Sequence, residues 1–154
     1  FFPESLGSDS DYIMTLDYPS PAFNTSVLSP EMKEAVDWYV QKYKEETGKD
    51  PYCDLMCFKN FAHTLPLFLD VIPRAILKYK SVDPEALKKA ALETDIPVNG
   101  LPDALGIKFD QYHDNRRIVI VNMMWHNGEL LTVWPKEYAI TKAVIPLPTW
   151  EERG

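Results

Sequence analysis

The sequence predicts an α/β fold in which helices pack on a sheet that ends in a C-terminal β-hairpin. Three observations carry this. Residues 117–125 alternate in strict period two, with Ile118, Ile120, Asn122 and Met124 on one face and Val119, Val121, Met123 and Trp125 on the other. Asn127-Gly128 follows at once, the strongest short hairpin signal, because a type I′ turn needs φ > 0 at both central residues. Ahead of this hairpin, apolar residues recur at helical spacing, and two helix starts are marked by a cap followed by proline, Ser29-Pro30 and Asp83-Pro84.

The elements follow in chain order. Residues 1–7 read as the end of a helix and residues 12–16 as a short strand. A proline-punctuated loop covers residues 17–25. The Asn24-Thr25-Ser26 sequon lies at its end, and chance accounts for a pattern this short. Ser29 caps a helix whose stripe is Met32, Ala35, Val36, Tyr39, Val40 and Tyr43, and Gly48 closes it. The aromatic members of that stripe read as core packing. Residues 54–79 form a second helical region, apolar nearly all round, which belongs inside a larger body. Pro66 and Pro73 interrupt it, so a kink or break is predicted near Leu65 and a second disturbance near Ile72. A third helix runs from the Asp83 cap to about Thr94, and residues 95–105 read as a loop. A short strand at 106–110, the hairpin strands at 117–125 and 130–134, and a stop at Pro135 complete the sheet. Both faces of the 117–125 strand are apolar, so it is expected to be covered on both sides. Residues 137–150 are predicted to drape over a surface.

Composition bounds the function. The chain has 154 residues, one domain by length, with 45% apolar and 25% charged residues, as in ordinary globular proteins. A net charge of −7, with no basic stripe, argues against nucleic acid and against an anionic membrane surface. No run of about 18 apolar residues is present; the sequence opens at Phe1 and contains no signal peptide, an opening that fits a mature or cut product.

Few residues suggest chemistry. Cys53 and Cys57 are the only cysteines. A cluster-binding loop would need a third cysteine, and Asn60 stands in its place. With His63 they supply three zinc-ligand types, with no convincing fourth. Their main reading is as buried free thiols, with a disulfide as the alternative, since side chains on one regular helix bridge poorly. A thiol dyad of Cys57 and His63 would make a small enzyme, but two residues on a buried helix explain the same pattern. His113 and His126 fall in turns and read as solvated. Asp9 and Asp11 lack the glycine and closing glutamate of a calcium loop. No metal and no cofactor is therefore predicted.

The order of motifs is more telling than any one of them. A Gly-x-x-Phe-Asp strand at 106–110, a polar turn, a long apolar strand ending near Trp125, an Asn-Gly turn and a Val133-Trp134-Pro135 exit stand in sequence. Ahead of them come Val36, Val40 and Tyr43 with Lys49-Asp50-Pro51, then Asp70-Val71-Ile72-Pro73-Arg74-Ala75, then Asp83-Pro84-Glu85 leading to Ala90-Ala91-Leu92. From about Leu6 onward this series resembles the C-terminal portion of the periplasmic solute-binding proteins of branched-chain amino acid ABC transporters. The resemblance implies a partial type I periplasmic binding protein fold, a C-terminal fragment organised as residues 1–105, 106–135 and 136–154. It also implies an extracytoplasmic, non-enzymatic receptor that delivers an amino acid or small amide to a membrane permease. In that family the solute sits in a cleft between two lobes, so this chain is expected to hold an incomplete site. Phe61, then Phe58, match the place where the family offers an aromatic wall to the ligand, and Tyr18 lies near the hinge. The two prolines of the long helix depart from the family's smooth, small-residue pattern. The ligand-sensing domain of a receptor shares the fold and is the alternative. The bare apolar faces lead to the expectation of an oligomer, or of a chain that stays bound to the rest of its parent.

Overall fold

A computed structural model describes residues 2–51 and 55–153. It is an α/β molecule of helices and two small antiparallel sheets. A short helix α1 (Phe2–Leu6) and a 3-10 turn (Gly7–Ser10) lead into β1 (Met14–Asp17). β1 pairs antiparallel with β4 (Val121–His126), and β4 pairs with β5 (Glu129–Trp134), so the order is β1-β4-β5. The predicted hairpin turn is present, with Asn127 at φ 50° and Gly128 at φ 80°. The Asp11 carboxylate accepts the Asn127 N–H at 2.8 Å and ties the turn to the N-terminal segment. A bulge between Asn122 and Met123 places Val133 as the extra residue of β5.

The helices begin where their caps predict. In α2 (Pro30–Thr47) the Ser29 hydroxyl accepts from the Met32 N–H, and Gly48 closes the helix in the left-handed region. In α5 (Pro84–Leu92) the Asp83 carboxylate accepts from the Ala86 N–H at 2.8 Å. Between them α3 (Leu55–Pro66) runs on through a π-turn (Leu67–Val71), the short α4 (Ile72–Arg74) and a second π-turn (Ala75–Tyr79). The rod does not break at the prolines. Each proline removes one N–H, and the wider turn that follows it lets the chain continue.

Two sequence expectations are corrected. The central strand starts at Val121 rather than Arg117, and its two faces are covered unequally. Val121 and Met123 are fully buried on one face, and Met124 is buried on the other, beside Thr141, Lys142 and Val144 of the C-terminal tail. Ile118 and Ile120, just before the strand, and Met14 and Leu16 on β1 stay exposed. The 106–110 strand likewise shortens to β3 (Ile107–Lys108), which pairs with β2 (Asp95–Ile96), inside the stretch read as a loop. Asn115 organises this corner: its amide oxygen accepts the Lys108 and Arg117 N–H groups and its nitrogen donates to the Gly106 carbonyl. The long helix also turns much of its apolar surface outward, with Phe68 at 61% and Leu69 at 71% exposure.

The main core lies under the sheet: Phe23, Leu101, Ala104, Leu105, Val121, Met123, Leu130 and Tyr138. A second cluster joins Val36 and Tyr39 of α2 to Phe58 of α3, and a third joins Val71 and Ala75 to Ala90 of α5. The tail is anchored at its start, where the Tyr138 hydroxyl donates to Asn99 Oδ1 at 2.9 Å and the Ile140 N–H to the Thr132 carbonyl. Beyond it the chain is mostly exposed up to the short α6 (Trp150–Arg153).

Gly106 is the tightest backbone position. A Cβ there would lie 2.6 Å from the carbonyl oxygens of Ile96 and Pro97, which are backbone and cannot rotate away. Gly106→Ala is expected to lower stability by about 1–3 kcal/mol, read by urea denaturation; an unchanged midpoint would show that the 97–106 loop tolerates a shift.

Candidate functional site

The three residues singled out from the sequence lie on two adjoining elements, α3 and the exit from β1. Phe58 points into the core and is fully buried. Its ring lies 5.2 Å from Tyr39. Phe61, one turn on, is half-buried, with Tyr39 stacked at 5.0 Å and Trp38 stacked at 5.8 Å between ring centroids. Helical spacing explains the difference. Phe58, Lys59 and Ala62 face inward, so Met56, Cys57 and Asn60 face out. Phe58 thus stands behind Phe61 as its support, and Phe61 closes an aromatic group that α2 and α3 build together.

Tyr18 follows β1 directly, and its N–H donates to the Asp17 carboxylate at 2.8 Å. Its ring is held by two side chains of α3. The Lys59 ammonium sits 5.2 Å from the ring centroid, and the His63 ring meets it edge-on at 6.2 Å. Lys59, nearly buried, forms an ion pair with Asp17 at 2.5 Å. His63 Nε2 meets Asp103 Oδ2 at 2.8 Å, and the Asp103 side chain is fully buried. Asp103 Oδ1 accepts the Leu105 N–H. The Asp103 carboxylate, its Oδ2 beside Nε2, holds the His63 imidazolium above the ordinary histidine value, while partial burial and the nearby Lys59 charge act in the opposite direction.

Sequence reading missed Lys59, Asp17 and Asp103 as members of this cluster. One signal was available: Lys59 and His63 are polar residues at i, i+4 on a helix otherwise apolar at nearly every turn. Their partners lie 42 and 40 residues away in sequence, and no local pattern names them. The cysteine expectation is corrected in part. Cys57 is exposed rather than buried, because it faces away from the helical core. Cys53, and with it the disulfide alternative, falls outside the described residues. His63 turns to Asp103, and among the described residues no group of three His, Cys, Asp or Glu side chains could hold a metal ion. Asp11 serves the hairpin turn, and His113 and His126 are exposed.

A separate groove of about 700 Å³ lies between α2 and β5, with Val36, Val40, Leu131 and Ile140 along it and Asp37 and Glu129 at its rim. Tyr18, Phe58 and Phe61 do not line it. Among the described residues no helix is long and apolar enough to cross a membrane.

No family model matches the chain. It is 32% identical over 133 residues to Leu/Ile/Val-binding protein homolog 7 of Brucella suis biovar 1 (strain 1330), an alignment covering 85% of this chain and 30% of that protein. Homolog 7 of Brucella abortus (strain 2308) is 31% identical over 131 residues. Leu/Ile/Val-binding protein homolog 8 of the same strain is 28% identical over 142 residues, covering 90% of this chain and 32% of that protein. The chain thus spans about 30% of the length of the curated relatives it matches.

The aromatic group separates support from surface in a measurable way. Phe58→Ala is expected to cost about 3–5 kcal/mol, as for a fully buried ring. Phe61→Ala is expected to cost about 1–2 kcal/mol, because part of its ring is already exposed. Chemical denaturation of the two variants checks the ranking, and equal losses would show that Phe61 belongs to the core.

Proposed function

We propose, from its sequence kinship over most of its length with proteins named Leu/Ile/Val-binding protein homologs, that this chain is the C-terminal part of an ABC transporter's solute-binding component. The solute is an amino acid or small amide, the compartment is periplasmic or otherwise extracytoplasmic, and the receiving partner is a membrane permease. The observation that carries this reading is the 85–90% of the chain aligned with those relatives. The ordered series of motifs from Leu6 to Pro135 supports the C-terminal placement and the type I fold. The relatives are named as binding proteins, and the reading assigns no chemistry to Cys57 or His63.

Within the chain, Phe61 and Tyr18 are the residues proposed to face the solute, with Phe58 backing Phe61. Phe61 keeps part of its ring surface on the α2 side of α3, and Tyr18 sits at the end of β1 against the Lys59–His63 side, so each can contribute to a wall of a cleft. One wall is not a site. Affinity in a small-molecule pocket needs convergent polar groups and closure over most of the ligand. Calorimetry of this chain with leucine, isoleucine, valine and small amides is expected to give nothing tighter than about 1 mM, on the order of −4 kcal/mol. A chain extended to the full length of the relatives is expected to bind one of these solutes at micromolar concentration. Micromolar binding by the present chain would overturn the incomplete-cleft reading, and no binding by the full-length chain would overturn the transport reading.

The exposed apolar faces support the same incompleteness. Leu16, Ile120 and Trp134 on the sheet, and Phe68, Leu69 and Leu77 on the long helix, are left uncovered. A contiguous apolar patch above a few hundred Å² is rarely bare on a monomer, and about 400 Å² left in water forgoes about 10 kcal/mol of burial. The chain on its own is expected to run as a dimer or larger species, or together with a bound remainder of its parent. Light scattering with mass spectrometry of the same sample checks this, and a cooperative 17.7 kDa monomer with no accompanying peptide would count against both forms.

A further inference from the structure

Two ion pairs join α3 to the rest of the molecule among the described residues, Lys59–Asp17 and His63–Asp103. They differ in kind. One cation is a lysine; the other is a histidine, the side chain whose ordinary value lies within the physiological range. The Asp103 side chain has no exposed surface, and His63 is 45% exposed. Protons therefore reach the imidazole while its partner stays sealed. Asp103 sits in a loop whose neighbours Leu101, Ala104 and Leu105 are core residues beneath the sheet. That loop is knotted by its own backbone, with Asn99 N–H donating to the Ala104 carbonyl and Leu101 N–H to the Leu105 carbonyl. Helix α3 packs through Phe58 into a different cluster, with α2. The His63–Asp103 contact thus spans two separately packed bodies, and Tyr18 rests against its His63 side.

We propose that His63 and Asp103 form a proton-operated latch, closed by the imidazolium and loosened when it deprotonates, which holds α3 and the Tyr18 ring against the 97–105 loop. Among the described residues the groups facing His63 are Asp103 from the loop, the Tyr18 phenol from the β1 exit, and Lys59 one turn back on α3. Only Asp103 is negative, so loss of the imidazolium charge leaves a buried carboxylate with a neutral donor in place of a cationic one. The direction in pH follows. A histidine raised in the folded state contributes its full stabilisation below the ordinary value of 6.5, and that stabilisation is lost as pH rises through the folded value. The latch rests on this geometry alone; its bearing on solute capture rests also on the proposed function, through Tyr18.

The test is a long-range ¹H–¹⁵N NMR titration of the His63 ring in the whole chain from about pH 5 to 9, with thermal unfolding over the same range. The His63 midpoint is expected above 6.5, with the Tyr18 ring resonances moving at the same midpoint. The melting temperature is expected to fall through that interval by about 3–5 °C for each pH unit by which His63 is raised. Asp103→Asn is expected to return His63 to the ordinary range and remove that fall. Should this variant not fold, His63→Lys, cationic throughout, is expected to flatten the profile. A wild-type His63 midpoint at or below 6.5, or Tyr18 resonances that ignore it, would overturn the latch. Neither measurement involves a solute, so a failed uptake reading leaves the result standing.

Discussion

Everything in this molecule is arranged around the pairing of β4 with β1. Met14 faces Met124 and Asp17 faces Val121, so residues more than a hundred apart in sequence share one ladder. The constraint is steric as well as topological. Val121 and Met123 are sealed on their inner face, and a slip of one residue would turn them out and Asn122 in. With that register set, the exit of β1 has one place to go. It carries Asp17 and Tyr18 beneath α3, where Lys59 and His63 receive them. The hairpin closes the other edge of β4, and the Thr132 N–H reaches across to the Ala22 carbonyl, tying the loop after β1 to β5.

The joint between helices and sheet is polar where the two bodies themselves are apolar. Such a joint has a physical logic. Apolar contact is non-directional, and two oily faces can slide. A hydrogen-bonded ion pair fixes one distance and one orientation, at the cost of desolvating its charges. Lys59 is nearly buried and Asp103 fully so, so neither can be left unpartnered without penalty. Tyr18 adds a weaker directional contact, with a cation on one side and an imidazole edge on another. The result places an aromatic residue at the end of a strand and braces it from the helix that also carries Phe61.

Much apolar surface stays uncovered among the described residues. The long helix is apolar nearly all round, yet its inward line, Phe58, Ala62, Val71 and Ala75, uses only part of it. On the outer face of the sheet Met124 is buried, but Leu16, and Ile120 just before β4, stay exposed. Relatives about three times as long have the chain length to cover such faces.

The sequence by itself determined the local elements, because their causes are local. Ser29 and Asp83 stop a backbone from fraying at the first turn, Gly48 admits a left-handed residue, and Asn127-Gly128 admits two in a row; each signal needs no distant partner. It also determined the kinship, since motif order survives in a linear string. Other properties depended on neighbours that sequence distance hides. The alternation of residues 117–125 showed two apolar faces, but only the tertiary structure decided how much of each is buried, because burial belongs to what packs opposite. Residues 95–96 looked like loop until Ile107 and Lys108 came alongside, since a two-residue strand has no periodicity to read. Pro66 and Pro73 were legible as disturbances, but whether the rod breaks or widens was set by the packing of Val71 and Ala75 on α5. His63 was visible from the start as an isolated imidazole on an apolar helix. Its partner became visible only when the fold carried Asp103, 40 residues away, into a dry place 2.8 Å from its ring.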